Sequence, residues 1–340
     1  MLSILSLIPC KTSLPLLEDE DDRDFILSTE GKLEEYACSR SIEDFFETGL
    51  EGRFTGKREV PIYYRIYRQP DGEKGTILIS SGRTESLVKY KELVFDLFNN
   101  GYSVYIHDHR GQGLSGRMTG DPEMGYVDSF QFYVDDMKTF YDRYLAAGNH
   151  SRKYLLAHSM GGAIGMTYLE QFPDDFNAAA FSSPMLGLKF PICPIARLLA
   201  GKKPKYGPGQ SGYQEDSTTF EGNSITGSRV RYLRMINAYE QYPEVKLGGA
   251  TTLWVERSCR QFRYIFRHAG QTGTPFILLS AGNETIVDPG AHGRFINRVR
   301  QTGGEFQGYL VEEALHELFM EKDEIRGKVL TAILRFYDRY

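Results

Sequence analysis

Short apolar runs alternate with stretches of helical spacing through most of the chain. "VPIYYRIYR" (Val60 to Arg68) is dense in β-branched and aromatic residues and predicts a strand. "GTILISSG" (Gly75 to Gly82) is a short, mostly apolar run ending in a turn, the pattern of a buried parallel strand. "LVKYKELVFDLF" (Leu87 to Phe98) has helical spacing, and "NNG" supplies the stop. "YSVYIHDH" (Tyr102 to His109) returns to strand. Phe130, Tyr133, Val134, Met137, Phe140, Tyr141 and Tyr144 then recur at three and four, so one helix face is aromatic and reads as core. "KYLLAH" (strand), "GGAIGMTYLEQF" (helix), "AAAFSSP" (strand) and, much later, "PFILLSAG" (strand) continue the alternation. Strands alternating with helices predict an α/β fold with a mostly parallel central sheet and helices on both faces.

Between Pro184 and Pro275 the alternation stops. Turn-rich sequence such as "GKKPKYGPGQSGY" gives way to helical runs near Arg229 to Tyr242 and Thr252 to His268. A block of this size between two strands reads as an inserted, mainly helical cap over the crevice at the carboxyl ends of the strands. The expected organisation is a lead-in over 1–45, partly flexible, a first core segment over 46–184, the cap over 185–272, and a second core segment over 273–340.

Composition changes this picture little. The chain has 340 residues, ordinary apolar and charged fractions, and a net charge of −5, which gives no whole-chain reason to expect nucleic acid. The N-terminal "MLSILSLIPC" is apolar but lacks a basic residue before the apolar part and is too short to span a bilayer. The acidic run Glu18 to Asp24 reads as a solvated, flexible lead-in. Cys10, Cys38, Cys193 and Cys259 are scattered, without a CxxC pair, so the expectation is reduced thiols in a cytoplasmic protein, with secretion left open.

Candidate chemistry centres on "LLAHSMGGAIG" (Leu155 to Gly165). Ser159 stands where a strand ends and a helix begins. A nucleophile there needs a sharp turn, which demands small residues two positions either side, here Ala157 and Gly161. The helix start aims free N–H groups at charge developing beside the serine. The plainer reading is a tight turn with an inert serine. A serine also needs a base and an acid to orient it, in chain order serine, acid, histidine. "NETIVDPGAH" offers Glu284 and Asp288, and "EFQGYLVEEALHELF" offers His316, the one histidine beyond His292.

These strings, with "SSGRTESLVKYKELVFDLFNNGYSVYIHDHRGQGLSGR" and "LHELFMEKDEIR", resemble the α/β-hydrolase superfamily. Within it they more closely resemble the bacterial lysophospholipases of the L-two type, relatives of monoacylglycerol lipases with a serine aminopeptidase S33-like domain. The likeness runs from about Phe46 to the C-terminus. It implies Ser159 as nucleophile, His316 as general base, and Glu284 as the acid, since relatives carry an aspartate four residues before a D-P or N-P pair. Asp288, the alternative acid, is then expected to cap the next helix with Pro289 in its first turn. The implied oxyanion donors are the backbone N–H groups of Met160 and Arg83, although Ser81-Gly82-Arg83 stands where relatives have H-G-x.

The resemblance further implies a serine ester hydrolase that needs no metal or organic cofactor and acts on a lysophospholipid or other monoacyl lipid. Monoacylglycerol lipase or general carboxylesterase activity is the alternative within the class; a non-catalytic lipid-binding protein is the alternative outside it. From Leu186 to Gly270 there are thirteen Lys or Arg against six Asp or Glu, opposite in sign to the whole chain. That excess predicts contact with an anionic membrane surface, peripheral on the inner membrane, against the plainer reading of a solvated basic face.

Overall fold

A computed structural model describes residues 14–18, 25–148, 150–214 and 219–340. The readings made of the N-terminal apolar stretch, of Cys10 and of most of the acidic run fall outside the described residues.

Chain order gives α1 (Glu30–Glu34), α2 (Tyr36–Glu47), β1 (Leu50–Thr55), β2 (Pro61–Tyr67), β3 (Gly75–Ser80), α3 (Lys91–Asn99), β4 (Tyr102–His107) and α4 (Gln131–Phe140). Then come β5 (Lys153–His158), α5 (Met160–Gln171), β6 (Ala178–Ser182), α6 (Ile192–Leu199), α7 (Arg229–Gln241) and α8 (Thr252–His268). β7 (Phe276–Ala281), α9 (Pro289–Gln301), β8 (Phe306–Val311) and α10 (Asp323–Tyr337) complete the chain. The eight strands form one sheet in the order β1-β2-β4-β3-β5-β6-β7-β8, antiparallel across β1-β2-β4 and parallel from β4 to β8.

The strand periodicity builds two cores. Leu78, Tyr105, Leu155, Ala157, Phe181 and Leu278 point to one face, where α4, α5, α8 and α9 cover them. Their neighbours Ile77, Ile79, Val104, Leu156, Ala180 and Ile277 point to the other, covered mainly by α3 and α10. The aromatic stripe of α4 is core, with Tyr133, Val134, Met137 and Phe140 all nearly or fully inaccessible.

The expected cap segment holds α6, α7 and α8. α7 is fastened to the body of the protein: buried Arg231 reaches Glu92, Asp323 and the Ser28 carbonyl, and Arg234 reaches Glu43. The part of the lead-in beyond residue 28 folds into α1 and α2 and buries Leu33 and Ile42. α6 packs on α8, and the two are joined by a disulfide between Cys193 and Cys259.

That disulfide corrects the expectation of reduced, unpaired thiols. The two cysteines are 66 residues apart in sequence, and only the packing of α6 on α8 brings their Cα atoms to 5.7 Å. Disulfides persist where the surroundings are oxidising, so scattered cysteines no longer argue for a reducing compartment. Among the described residues, no helix is long and apolar enough to cross a membrane.

Candidate active site

Ser159 sits alone between β5 and α5 with φ 50° and ψ −117°, a region non-glycine residues avoid. The turn is over-determined. The Ser159 N–H donates to the Ser182 carbonyl, and its own carbonyl accepts from Gly162 and Met185. Gly161 is required: a Cβ there would lie 2.1 Å from the Ser80 carbonyl oxygen. The same crowding shows that the turn after β3 packs directly on the turn before α5.

Ser159 Oγ lies 2.9 Å from His316 Nε2, and His316 Nδ1 lies 2.7 Å from Glu284 Oε2. Glu284 follows β7 and His316 follows the adjacent β8, while Ser159 follows β5 two strands in from β7, so the carboxyl ends of one sheet bring together residues 157 positions apart. Glu284 Oε1 accepts the backbone N–H groups of Ile286 and Val287. Burial alone would raise the Glu284 pKa, but His316 and those amides outweigh it and hold the carboxyl below its usual range. All three side chains are buried, with Ser159 the most accessible at 8%.

Asp288 is elsewhere. It caps α9, accepting from Gly290 N, pairs with Arg294, and is followed by Pro289 as first residue of the helix. His292 is a buried structural histidine between Ser280 Oγ and the Pro184 carbonyl, and burial lowers its pKa to about 4.

Met160 opens α5, and Arg83 lies on the loop after β3. The Gly82 N–H is already engaged by Glu85 Oε2 at 2.5 Å. The Arg83 guanidinium donates to the Gly248 carbonyl and sits 5.1 Å over the Trp254 ring; burial lowers its pKa to about 10.

Sequence reasoning missed what holds these loops. Lys89, its side chain 3% exposed, lies 2.5 Å from Glu85 Oε1 and 2.7 Å from Glu317 Oε2. His158 Nε2 lies 3.2 Å from the same Glu317 oxygen, as an ion-pair contact and not an aligned hydrogen bond. Burial pulls the His158 pKa down, but Glu317 and Glu85 overcome it, so the net direction is up. Glu85, His158 and Glu317 would suit a metal ion by donor type, but the Lys89 ammonium already bridges the two carboxylates. The knot ties three turns together: Glu85 holds the loop of Gly82 and Arg83, His158 precedes Ser159, and Glu317 follows His316.

The "DHRGQG" string serves the same loop. Gln112 donates to the carbonyls of Gly82 and Glu85, and Asp108 accepts from Ser86 Oγ and the N–H groups of Leu87 and Leu114. Gly113 permits this, since a Cβ there would lie 2.1 Å from Asp108 Oδ2. Buried Arg110 pairs with Asp136 at 2.7 Å.

With this geometry, comparison with known proteins is informative. The family described as serine aminopeptidase, S33 matches residues 71–323. The chain is 35% identical over 311 residues to lysophospholipase L2 of Escherichia coli strain K12, covering 88% of this chain and 90% of that protein. It is 31% identical over 300 residues to the probable lysophospholipase L2 of Haemophilus influenzae, covering 86% and 93%. Among solved structures it is similar to a soluble variant of monoglyceride lipase from Saccharomyces cerevisiae in complex with a substrate analog. That match has a TM-score of 0.65 and 19% identity, covering 86% of this chain and 94% of that one, a likeness of fold.

Proposed function

The chain belongs to the serine aminopeptidase S33 family of hydrolases, and from that premise we propose that it is a lysophospholipase working through Ser159, His316 and Glu284. As a carboxylic ester hydrolase it has to attack an acyl carbonyl, and the observation that carries the assignment is the unbroken 2.9 Å and 2.7 Å chain from Ser159 Oγ through His316 to Glu284. In a chain 35% identical to lysophospholipase L2, that arrangement has a defined task.

Ser159 Oγ attacks the carbonyl carbon while His316 Nε2 takes its proton, and Glu284 stabilises the imidazolium. The tetrahedral oxyanion is held by the N–H groups of Met160 and Arg83; losing one such donor elsewhere costs about a hundredfold or more in rate. His316 then protonates the departing glycerophospho-alcohol. Water, deprotonated by the same histidine, releases the fatty acid and restores Ser159. Glutamate in place of aspartate leaves this logic intact, because what is needed is a carboxylate facing Nδ1.

The proposal includes attachment to an anionic membrane through the cap, and the charges around α6 support it. Arg229, Arg231, Arg234, Lys246, Arg257 and Arg260 are engaged with carboxylates. Lys189, Arg197, Lys202, Lys203 and Lys205 are exposed around α6, whose apolar side chains are also exposed: Phe190 at 87%, Leu198 at 84%. Bulky apolar residues ringed by cations suit the interface of an anionic bilayer.

The test is turnover of a lysophospholipid panel beside monoacylglycerols, with Ser159→Ala as control. Lysophospholipid hydrolysis abolished by the substitution supports the assignment. Preference for monoacylglycerol moves the substrate to the alternative, and substantial turnover by folded Ser159→Ala ends the mechanism. For the membrane, neutralising Lys202, Lys203 and Lys205 together should weaken binding to anionic vesicles, as should added salt; equal binding to neutral vesicles would refute it.

A further inference from the structure

A cavity of about 930 Å³ lies between α6, α8, α9 and the segment that follows β6. Ser159, His316, Met160 and Arg83 do not line it. Its walls are apolar where Leu186, Leu198, Phe262, Phe266 and the Cys193–Cys259 disulfide meet. Its charged groups are mostly cationic: Arg197, Arg263, Arg294 and Arg298 against Glu256 and Asp288.

Both acids are already engaged. Glu256 contacts Arg257 and Arg260, and Asp288 pairs with Arg294 at 2.7 Å. Arg197, Arg263 and Arg298 make no ion pair among the described residues. Three exposed guanidinium groups thus border an apolar hollow with no carboxylate paired to them among the described residues.

We propose that this groove is a binding site for a long-chain fatty acid anion, separate from the site around Ser159. The walls call for an apolar chain, and the arginines call for an anion at its end. A guanidinium matches a carboxylate through two parallel N–H donors, a geometry that ammonium groups do not offer. The volume is that of a single-ligand pocket, which typically spans about 300–1,000 Å³. A bare carboxylate places its charge directly at the end of the chain, whereas a lysophospholipid interposes a glycerol backbone before its phosphate. The site stands on its walls and charges and does not depend on which ester the protein hydrolyses.

The experiment uses full-length protein whose Ser159 has been blocked by a fluorophosphonate, so that the site around it is filled. The probe is cis-parinaric acid, a fluorescent fatty acid, titrated with and without an unlabelled long-chain fatty acid, hexadecanol or lysophosphatidylglycerol as competitor. Saturable one-to-one binding is expected, weakened at least about tenfold in the exposed-site variants Arg263→Gln/Arg298→Gln and Arg263→Glu/Arg298→Glu. Unblocked variants should still hydrolyse a soluble short-chain ester, which verifies their fold. Hexadecanol should compete poorly. Absence of saturable binding, binding indifferent to both variants, or stronger displacement by lysophosphatidylglycerol than by unlabelled fatty acid would overturn the proposal. Failure of lysophospholipid turnover with parinarate binding intact would count against the lysophospholipase reading alone.

Discussion

Lys89→Met isolates the buried ionic knot. The substitution keeps most of the side chain's apolar length and removes the ammonium that lies between Glu85 and Glu317, leaving two carboxylates in a buried space with only His158 as a cation. Exposed ion pairs contribute roughly 0–1 kcal/mol, but removing one member of a buried pair costs about 3–5 kcal/mol because the partner keeps its desolvation penalty. Against a typical total of about 5–15 kcal/mol, that is a large share of the stability.

The loss should depend on pH with a definite sign. The folded-state pKa of His158 is raised, so its stabilising contribution is present below its unfolded value and fades as pH rises through the folded one. In the variant that imidazolium, or a proton on one carboxylate, is what remains to offset the negative charge. Urea unfolding of Lys89→Met and the unaltered protein should therefore show a gap of about 3 kcal/mol or more near pH 8 that narrows near pH 6. Ester turnover should fall as well, because the loops of Gly82 and His316 lose a shared support. A gap below about 1 kcal/mol at both pH values, or one that widens on acidification, would refute this account of the knot.

Glu284→Ala should cost far more rate than Asp288→Ala, while Asp288→Ala should show as a stability loss of about 0.5–2 kcal/mol for a removed N-cap; steady-state kinetics and unfolding measured on both variants separate the roles, and the reverse ranking would reassign the acid. Ser159→Gly should unfold at higher denaturant than Ser159→Ala, since both lose the bond to His316 but only glycine relieves a backbone strain of about 1–3 kcal/mol; equal midpoints would show the turn to be unstrained. Cys193→Ala/Cys259→Ala should lose up to about 4 kcal/mol in urea unfolding, the loop-closure value for 66 residues, with folding of the sheet unaffected; no change relative to the disulfide-bonded protein would remove its structural role.

Parallel strands β3 to β7 were legible because they are short, mostly apolar runs buried on both faces, and the turn at Ser159 because its geometry requires small neighbours. β1 was not: "LEGRFT" is an edge strand with mostly exposed positions, so burial imposes little pattern on it. α6 hid inside a proline-interrupted apolar run whose apolar side faces out, opposite to the rule that reads an apolar face as core. The lysine-centred knot was illegible for a different reason. Its members come from three separate turns, and no local spacing relates Lys89 or His158 to Glu317. Glu284 was distinguishable from Asp288 because the family resemblance puts the acid four residues before an Asp-Pro pair and because Asp-Pro marks a helix start, where Asp288 does cap α9.

The way the segment expected to be a cap, residues 185–272, is fastened decides where it yields. At α7, Arg231 and Arg234 are bolted to the N-terminal helices, α3 and the start of α10, so that side moves only with the body. At the other side, α6 is stapled to α8 and leans on little else. Compliance is thus concentrated along one margin, and a push on α6 is transmitted through a covalent link into α8, whose first turn carries Trp254 beneath the Arg83 guanidinium. On this fastening the segment is less a hinged cover than a cantilever, its free end at the exposed apolar helix α6 and its root at α7, held by α2, α3 and the start of α10.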